Sequence, residues 1–192
     1  MTVLERPSLV ILDRDGVINH DSDHYIKSKA EWLPIPGSLE AIAELTHQQI
    51  PVAIATNQRG ITLGLYDLDD LNAMHEKMQD LLTPLGGEIV QLEYCTSGDN
   101  HHPDRKPNPG MLYKILTTQA IDPKTETVYF VGDKIADMEA GIRAGVTPIL
   151  VTTGKGAREV EKLPQFSAKH NVPQPLCFES LEAFVSALLR SS

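Results

Sequence analysis

Two aspartates lie two positions apart, Asp13 and Asp15, where a short apolar run gives way to Arg14, Gly16 and Val17. Neighbouring carboxylates repel each other, so such a pair calls for a cation or a proton close by. Thr56-Asn57-Gln58-Arg59 follows a second apolar run and offers a hydroxyl, two amides and a guanidinium, all donors to the oxygens of an anion. Arg105-Lys106-Pro107 adds a planar fork and a point charge that suit phosphate. Gly132-Asp133-Lys134 follows another apolar run, and Asp137, one helical turn later, can brace Lys134 or the shell of a metal. Each group alone also reads as a solvated loop, a polar turn or a helix cap. Together they run acid pair, Thr, Lys, acid. Carboxylates on an open rim suit Mg²⁺, which takes oxygen ligands and keeps several waters. A metal, a lysine and amide donors are what a phosphoryl group in transfer needs. One Asp would attack phosphorus; the other would protonate the leaving alkoxide and then deprotonate water.

Such groups meet only if the elements carrying them end at one rim. Five apolar runs read as strands: Leu9–Leu12, Val52–Ala55, Ile89–Leu92, Val128–Val131 and Pro148–Val151. All but the third lack in/out alternation, as expected of strands buried on both faces. Amphipathic stretches lie between them. Ser38 is expected to cap a helix with Leu39, Ile42, Ala43 and Leu45 on one face. Asp67 is expected to cap another, with Asp70 near its positive end and Leu71, Met74, Met78 and Leu81 as its apolar stripe. Asn108-Pro109 reads as cap and first-turn proline before Leu112, Ile115 and Leu116. Further helices are expected over Ile135–Ala144, stopped by Gly145, and over Leu181–Leu189, with Gly154 to Pro175 mostly loop. The alternation predicts an α/β fold, doubly wound and Rossmann-like. Its mainly parallel sheet carries helices on both faces, and its ligands bind at the carboxyl ends of the strands.

The chain has 192 residues, a length suited to one domain over 1–192. Lys and Arg number 17 against 26 Asp and Glu, a net charge of -9. That argues against indiscriminate binding to nucleic acid or anionic membrane, which runs on excess cationic charge. Two cysteines, Cys95 and Cys177, are too few for a disulfide framework. Apolar runs of four or five residues are far too short to span a bilayer. The opening Met1 to Pro7 has no signal-peptide hydrophobic region, and the expectation is a cytoplasmic protein.

The motifs Asp13-Arg14-Asp15-Gly16-Val17, Thr56-Asn57, Lys106 and Gly132-Asp133-Lys134-Ile135-Ala136-Asp137 resemble, in order, those of the haloacid dehalogenase (HAD) superfamily. Arg105-Lys106-Pro107, Pro109-Gly110-Met111-Leu112 and Thr56-Asn57-Gln58 resemble the branch of heptose-1,7-bisphosphate 7-phosphatases and their histidinol-phosphate phosphatase relatives. The resemblance covers about Leu9 to Lys155. It implies a Mg²⁺-dependent phosphatase serving the heptose precursor route to lipopolysaccharide, with Asp13 as nucleophile and metal ligand. Asp15 is implied as acid/base and as a metal ligand through its backbone carbonyl, Asp133 as the third ligand, and Thr56 with Lys106 as the phosphoryl-binding pair. It implies substrate recognition by Asp21, Ser22, Asp23, His24, Asn57, Gln58, Arg59, Arg105 and Lys134. The 40 residues between Asp15 and Thr56, and the 49 between Thr56 and Lys106, leave no room for a separate cap domain. Many members of the branch carry zinc on three Cys and one His before the Arg-Lys motif. Here Cys95 remains without the two later cysteines, and Cys95, His101, His102 and Asp104 make only a makeshift set, so structural Zn²⁺ is not expected.

A histidinol-phosphate or other small-molecule phosphatase of the same superfamily is the first alternative. A polynucleotide 3′-phosphatase fits poorly, since no basic stripe with aromatics is present. A phospho-accepting receiver module also combines Asp, Thr and Lys, but its acceptor lies mid-chain with no acid after it. Gly154-Lys155-Gly156 lacks the upstream glycine and the Ser/Thr of a P-loop. The expected partner is a small phosphorylated substrate such as a sugar bisphosphate, bound by a monomer, with neither nucleic acid nor membrane involved.

Overall fold

The computed structural model describes residues 4–191, so Met1 to Val3 of the segment read for a signal sequence lie outside the described residues. Six parallel strands form one sheet: β1 (Leu9–Leu12), β2 (Val52–Asn57), β3 (Gln91–Cys95), β4 (Val128–Gly132), β5 (Thr147–Val151) and β6 (Leu176–Phe178). Their order is β3-β2-β1-β4-β5-β6. The chain winds outward from β1 to β3, crosses back to β4 beside β1, and then winds outward the other way. The switch between β1 and β4 opens a crevice at their carboxyl ends. In register, Leu12 stands beside Ile54 of β2 and Val131 of β4, so the residues after these strands share one rim.

Alternate strand residues feed two cores. Val10, Leu12, Val52, Ile54, Val131 and Ile149 pack under α1 (Ser38–His47), α2 (Leu68–Leu82) and α7 (Leu181–Ser191). Leu9, Ile11, Ala53, Ala55 and Phe130 face α3 (Gly110–Thr118) and α4 (Ile135–Ala144). Both faces of the central strands are thereby buried, which is why their sequences lack alternation.

Asp67 caps α2 as expected, accepting from Asp70 N while Asp70 returns a carboxylate to Asp67 N. Gly145 ends α4 at φ 78°. Other boundaries differ. Gly37, not Ser38, is the N-cap of α1, and the Ser38 hydroxyl instead donates to Ile18 O at 2.6 Å. Pro109, not Asn108, caps α3, while the Asn108 amide donates to Asn100 O and His102 O in the preceding loop. The buried end of the α2 stripe is Leu82, whereas Leu81 is exposed. An inward stripe at 71, 74, 78 and 82 advances by 3.6 residues per turn, and position 81 falls off it. β3 runs two to three residues later than Ile89–Leu92, because Val90 lies exposed ahead of the pairing. The stretch expected as mostly loop holds α5 (Gly156–Glu159) and α6 (Leu163–His170), with β6 just beyond it. Leu163 and Phe166 of α6 pack on Met138 and Leu150, and Pro164 sits in its first turn, where no amide is needed. Between β1 and α1 the described chain forms no further helix or strand, only isolated bridges of Asn19 to Asp15 and Pro34.

Candidate active site

The sheet delivers Asp13 from the end of β1, Thr56 from β2 and Asp133 from just past β4, all nearly or fully buried. Lys106 reaches in from the long loop before α3. Its ammonium meets Asp13 Oδ1 at 2.9 Å and Asp137 Oδ1 at 2.7 Å, and donates to Ala55 O at 2.8 Å. It also lies 5.4 Å from the centre of the Phe130 ring. Asn57 clamps the Lys106 backbone from both sides, with Nδ2 donating to Lys106 O and Oδ1 accepting from Lys106 N, each at 3.1 Å. Burial alone would raise the Asp13 carboxyl, but Lys106 and Lys134 outweigh it and hold the group below the ordinary carboxylate range. Burial likewise opposes the Lys106 ammonium, and Asp13 with Asp137 overcomes it, so the lysine stays charged.

Among the described residues, Asp13, Asp133 and Asp137 bring carboxylate oxygens within 4.8 Å of one another. Burial pushes the Asp133 carboxyl up; Lys134 opposes this, while the Asp13 and Asp137 charges add to it, and the result is about 7. The Lys134 ammonium lies among these acids, 2.9 Å from Asp133 Oδ1 and 3.7 Å from both Asp13 Oδ2 and Asp21 Oδ2. The cluster thus demands positive charge and offers only oxygen donors, which fits Mg²⁺. Both oxygens of Asp137 are engaged, by Lys106 and by Lys134 N at 3.1 Å, so Asp137 braces the lysine motif as its spacing suggested. Asp133 Oδ2 accepts from Lys155 N at 2.8 Å. Gly16 (φ 90°) and Gly154 (φ 57°) pass so close to Asp133 that a Cβ on either would lie 2.1 or 2.3 Å from Oδ2.

Asp15 turns to another set of partners. Its Oδ1 accepts from Arg14 Nε at 3.0 Å and Asn19 Nδ2 at 2.9 Å, and lies 2.8 Å from Arg14 Nη2; its Oδ2 accepts from Gln58 Nε2 at 3.0 Å. Arg14 is wholly buried and reaches His75 Nε2 of α2 at 3.2 Å. A guanidinium only donates, so His75 accepts and is neutral. Burial, then Arg14, push the His75 pKa down to about 4.

Around these groups lies a cleft of about 270 Å³, near the lower end of small-molecule sites. Asp21, Ser22, Asp23, Asn57, Gln58, Arg59, Arg105, Lys134 and Lys155 are among the residues that line it. His24 is the one expected recognition residue outside this lining; it is exposed, and its amide donates to Ser22 Oγ. Arg105 is oriented by Ser97 O and Asn100 Oδ1. Gln58 lines the cleft, yet both its donors and its acceptor oxygen are taken by protein groups. Lys155, His75 and Tyr66 were not among the expected site residues. His75 falls on the inward side of α2 beside Met74, four residues after Leu71, which is the only signal the sequence held. In the Cys95 loop, burial raises the Cys95 thiol, whose sulfur lies 3.7 Å from His102 Nδ1. That nitrogen also accepts from Asp104 N, and the Asp104 carboxylate pairs with Lys114 at 2.6 Å.

The HAD-hydrolase-like family model matches residues 104–177. The D-glycero-beta-D-manno-heptose-1,7-bisphosphate 7-phosphatase of Pseudomonas aeruginosa is 48% identical over 185 residues, covering 95% of this chain and 98% of that protein. The Pseudomonas putida protein of the same name is 47% identical, covering 94% of this chain and 99% of that protein. Among solved structures, the D,D-heptose 1,7-bisphosphate phosphatase of Bordetella bronchiseptica, crystallised with magnesium and phosphate, superposes with a TM-score of 0.86. It is 40% identical and covers 96% of this chain and 99% of that one. Near-complete coverage at this identity, on a sheet that gathers all four motifs at one rim, makes this chain a HAD-like hydrolase belonging to the heptose-1,7-bisphosphate 7-phosphatase family.

Proposed function

We propose that this chain, acting as one domain over 1–192 and as a monomer in the cytoplasm, removes the 7-phosphate of D-glycero-D-manno-heptose 1,7-bisphosphate on the route to lipopolysaccharide heptose. The observation that carries the reading is the buried Asp13 carboxylate, held ionised by Lys106 at the sheet's switch point. Asp13 Oδ1 is engaged by Lys106 and by Arg14 N at 2.8 Å, which leaves Oδ2 to attack phosphorus. The P–O bond to the sugar alkoxide breaks as Asp15 gives it a proton, leaving an aspartyl-phosphate. Asp15 then takes a proton from the water that attacks this ester, releasing phosphate and restoring Asp13. The Thr56 hydroxyl accepts from Gln58, so its own hydrogen is free for a phosphoryl oxygen, and Lys106 neutralises charge beside it. Asp13, the Asp15 carbonyl and Asp133 would hold magnesium, which would supply further neutralisation of charge on the phosphoryl oxygens. Arg59, Arg105 and Lys134, with Asp21, Ser22 and Asp23 on the same lining, are the recognition groups for the remainder of an anionic sugar. On this lining Arg59 and Arg105 are the groups that suit a second phosphate, whereas histidinol phosphate would bring a cation to them.

A side-by-side measurement of kcat/KM on heptose 1,7-bisphosphate, sugar monophosphates and histidinol phosphate tests this. The bisphosphate is expected to lead by at least about 10-fold, since Arg59 is exposed and Arg105 and Lys134 are only half-buried, where charge pairs contribute modestly. Faster turnover of histidinol phosphate would replace this reading with the relative's activity.

A further inference from the structure

Gln58 occupies the centre of the polar network yet has no hydrogen-bonding capacity left for a substrate. One Nε2 hydrogen goes to Asp15 Oδ2 at 3.0 Å and the other to Thr56 Oγ1 at 2.9 Å. Oε1 accepts from Arg14 Nη2 at 3.2 Å and from Tyr66 Oη at 2.5 Å. The side chain is 2% exposed. These partners fix which end of the amide is which: Arg14 only donates, so the atom facing it must be oxygen, and the nitrogen must face Asp15. The opposite flip would set N–H against N–H at Arg14 and oxygen against carboxylate at Asp15.

The two Asp15 oxygens are thereby made unequal. Oδ1 takes donors from Arg14 and Asn19, with both Nε and Nη2 of the guanidinium within 3.0 Å. An oxygen so saturated with N–H groups has no room for a proton of its own. Oδ2 takes a single donor, from Gln58, and keeps one lone pair. We propose that Gln58 is the positioning residue of the acid/base step, holding Asp15 so that Oδ2 is the atom that carries the transferred proton. Through the same amide it fixes Thr56, so the proton donor and a phosphoryl ligand are set relative to each other by one rigid side chain. Arg14, with His75 behind it, holds the other oxygen, and Tyr66 anchors the Gln58 carbonyl. The inference rests on the reading of Asp15 as acid/base in the Proposed function, and it replaces the expectation that Gln58 binds substrate.

The test uses two aryl esters that differ only in a para-nitro group and hence in leaving-group basicity, phenyl phosphate and p-nitrophenyl phosphate, with the full-length Mg²⁺-loaded enzyme. Nitrophenolate leaves without help, whereas phenolate leaves faster with a proton in place. Gln58→Met keeps the volume and removes every hydrogen bond. It is expected to lower kcat/KM on phenyl phosphate at least about 10-fold more than on p-nitrophenyl phosphate, a fraction of the 10²–10⁴-fold that general acid catalysis typically contributes. Tyr66→Phe, a smaller change, is expected to shift the ratio in the same sense by a few-fold, and it decides the matter if Gln58→Met does not fold. Equal losses on both esters, as from a fold defect or a lost phosphate contact, overturn the proposal. Asp15→Asn separates the two layers. If it discriminates between the esters and the Gln58 and Tyr66 variants do not, Gln58 positions nothing. If Asp15→Asn strikes both esters equally, the acid/base reading fails and this inference fails with it.

Discussion

Asp13 and Lys106 show how burial is turned to use at a single pair. Each charge alone would be strongly disfavoured out of water, yet the aspartate is held ionised by two lysines and the lysine by two aspartates. The second partner matters for testing the nucleophile. Asp13→Asn removes the attacking oxygen but leaves Lys106 paired to Asp137 at 2.7 Å, and the asparagine carbonyl still accepts at the position of Oδ1. No buried charge is stranded, so the melting temperature is expected to stay close to that of the parent. Phosphate release is expected to fall by more than about 10³-fold, as when other nucleophiles are deleted. Steady-state phosphate assay beside a thermal melt checks both halves, and retained turnover would remove Asp13 from the role. This residue was legible in the sequence because the acid pair after the first strand recurs with Thr56, Lys106 and Asp133 in one motif order, whereas alone it reads equally as a solvated loop. Arg14 stands between the two acids, but its role depends on His75, 61 positions later, and no local pattern encodes that contact.

At the scale of elements, α2 does more than cover the sheet. Its capping box and its Leu71–Met74–Met78–Leu82 stripe fix the helix, and the fixed helix sets neutral His75 against the Arg14 guanidinium. This contact has a pH cost of definite sign. The histidine protonates near 6.5 when unfolded but near 4 when folded, so its contribution is complete above pH 6.5 and is lost as pH falls through 4. A displacement of that size corresponds to a loss on the order of 3 kcal/mol at the acid end. Urea unfolding of the parent and of His75→Gln, from pH 7 to pH 4.5, is expected to show a steeper loss in the parent, since the glutamine oxygen can accept from Arg14 without titrating. Identical slopes would mean that His75 is not the group responsible. Elements with dense apolar periodicity, such as β1, β2, β4, α2 and α4, could be read from the chain. α6 and β6 could not. α6 buries only Leu163 and Phe166, and β6 is a three-residue edge strand just after Pro173 and Pro175, so both are held in place by neighbours such as Met138, Leu150 and Val151.

At the scale of the molecule, the two-way winding of the sheet gathers carboxylates more than a hundred residues apart, Asp13 and Asp133, into one crevice. That convergence followed from the motif order, because every motif comes directly after a strand or just before a helix. The closing loop from β5 did not follow from it. Lys155 N, presented beside Gly154, holds Asp133 Oδ2, and neither residue belongs to a motif that marks it. The assembled cluster exists only in the folded chain, so a cation that binds it should stabilise the whole molecule by mass action. At a Mg²⁺ concentration of 100 times Kd the gain is about 2.7 kcal/mol. For a chain of this size, each kcal/mol moves the melting temperature by about 2–4 °C. Magnesium is therefore expected to raise the melting temperature by roughly 5–10 °C. Asp133→Asn, which removes one of the three gathered carboxylates and some of their mutual repulsion, is expected to abolish most of that rise without lowering the melting temperature in EDTA. Differential scanning fluorimetry of both proteins with EDTA and with increasing Mg²⁺ measures the two effects together. A full magnesium response in Asp133→Asn would place the cation outside the β1–β4 crevice.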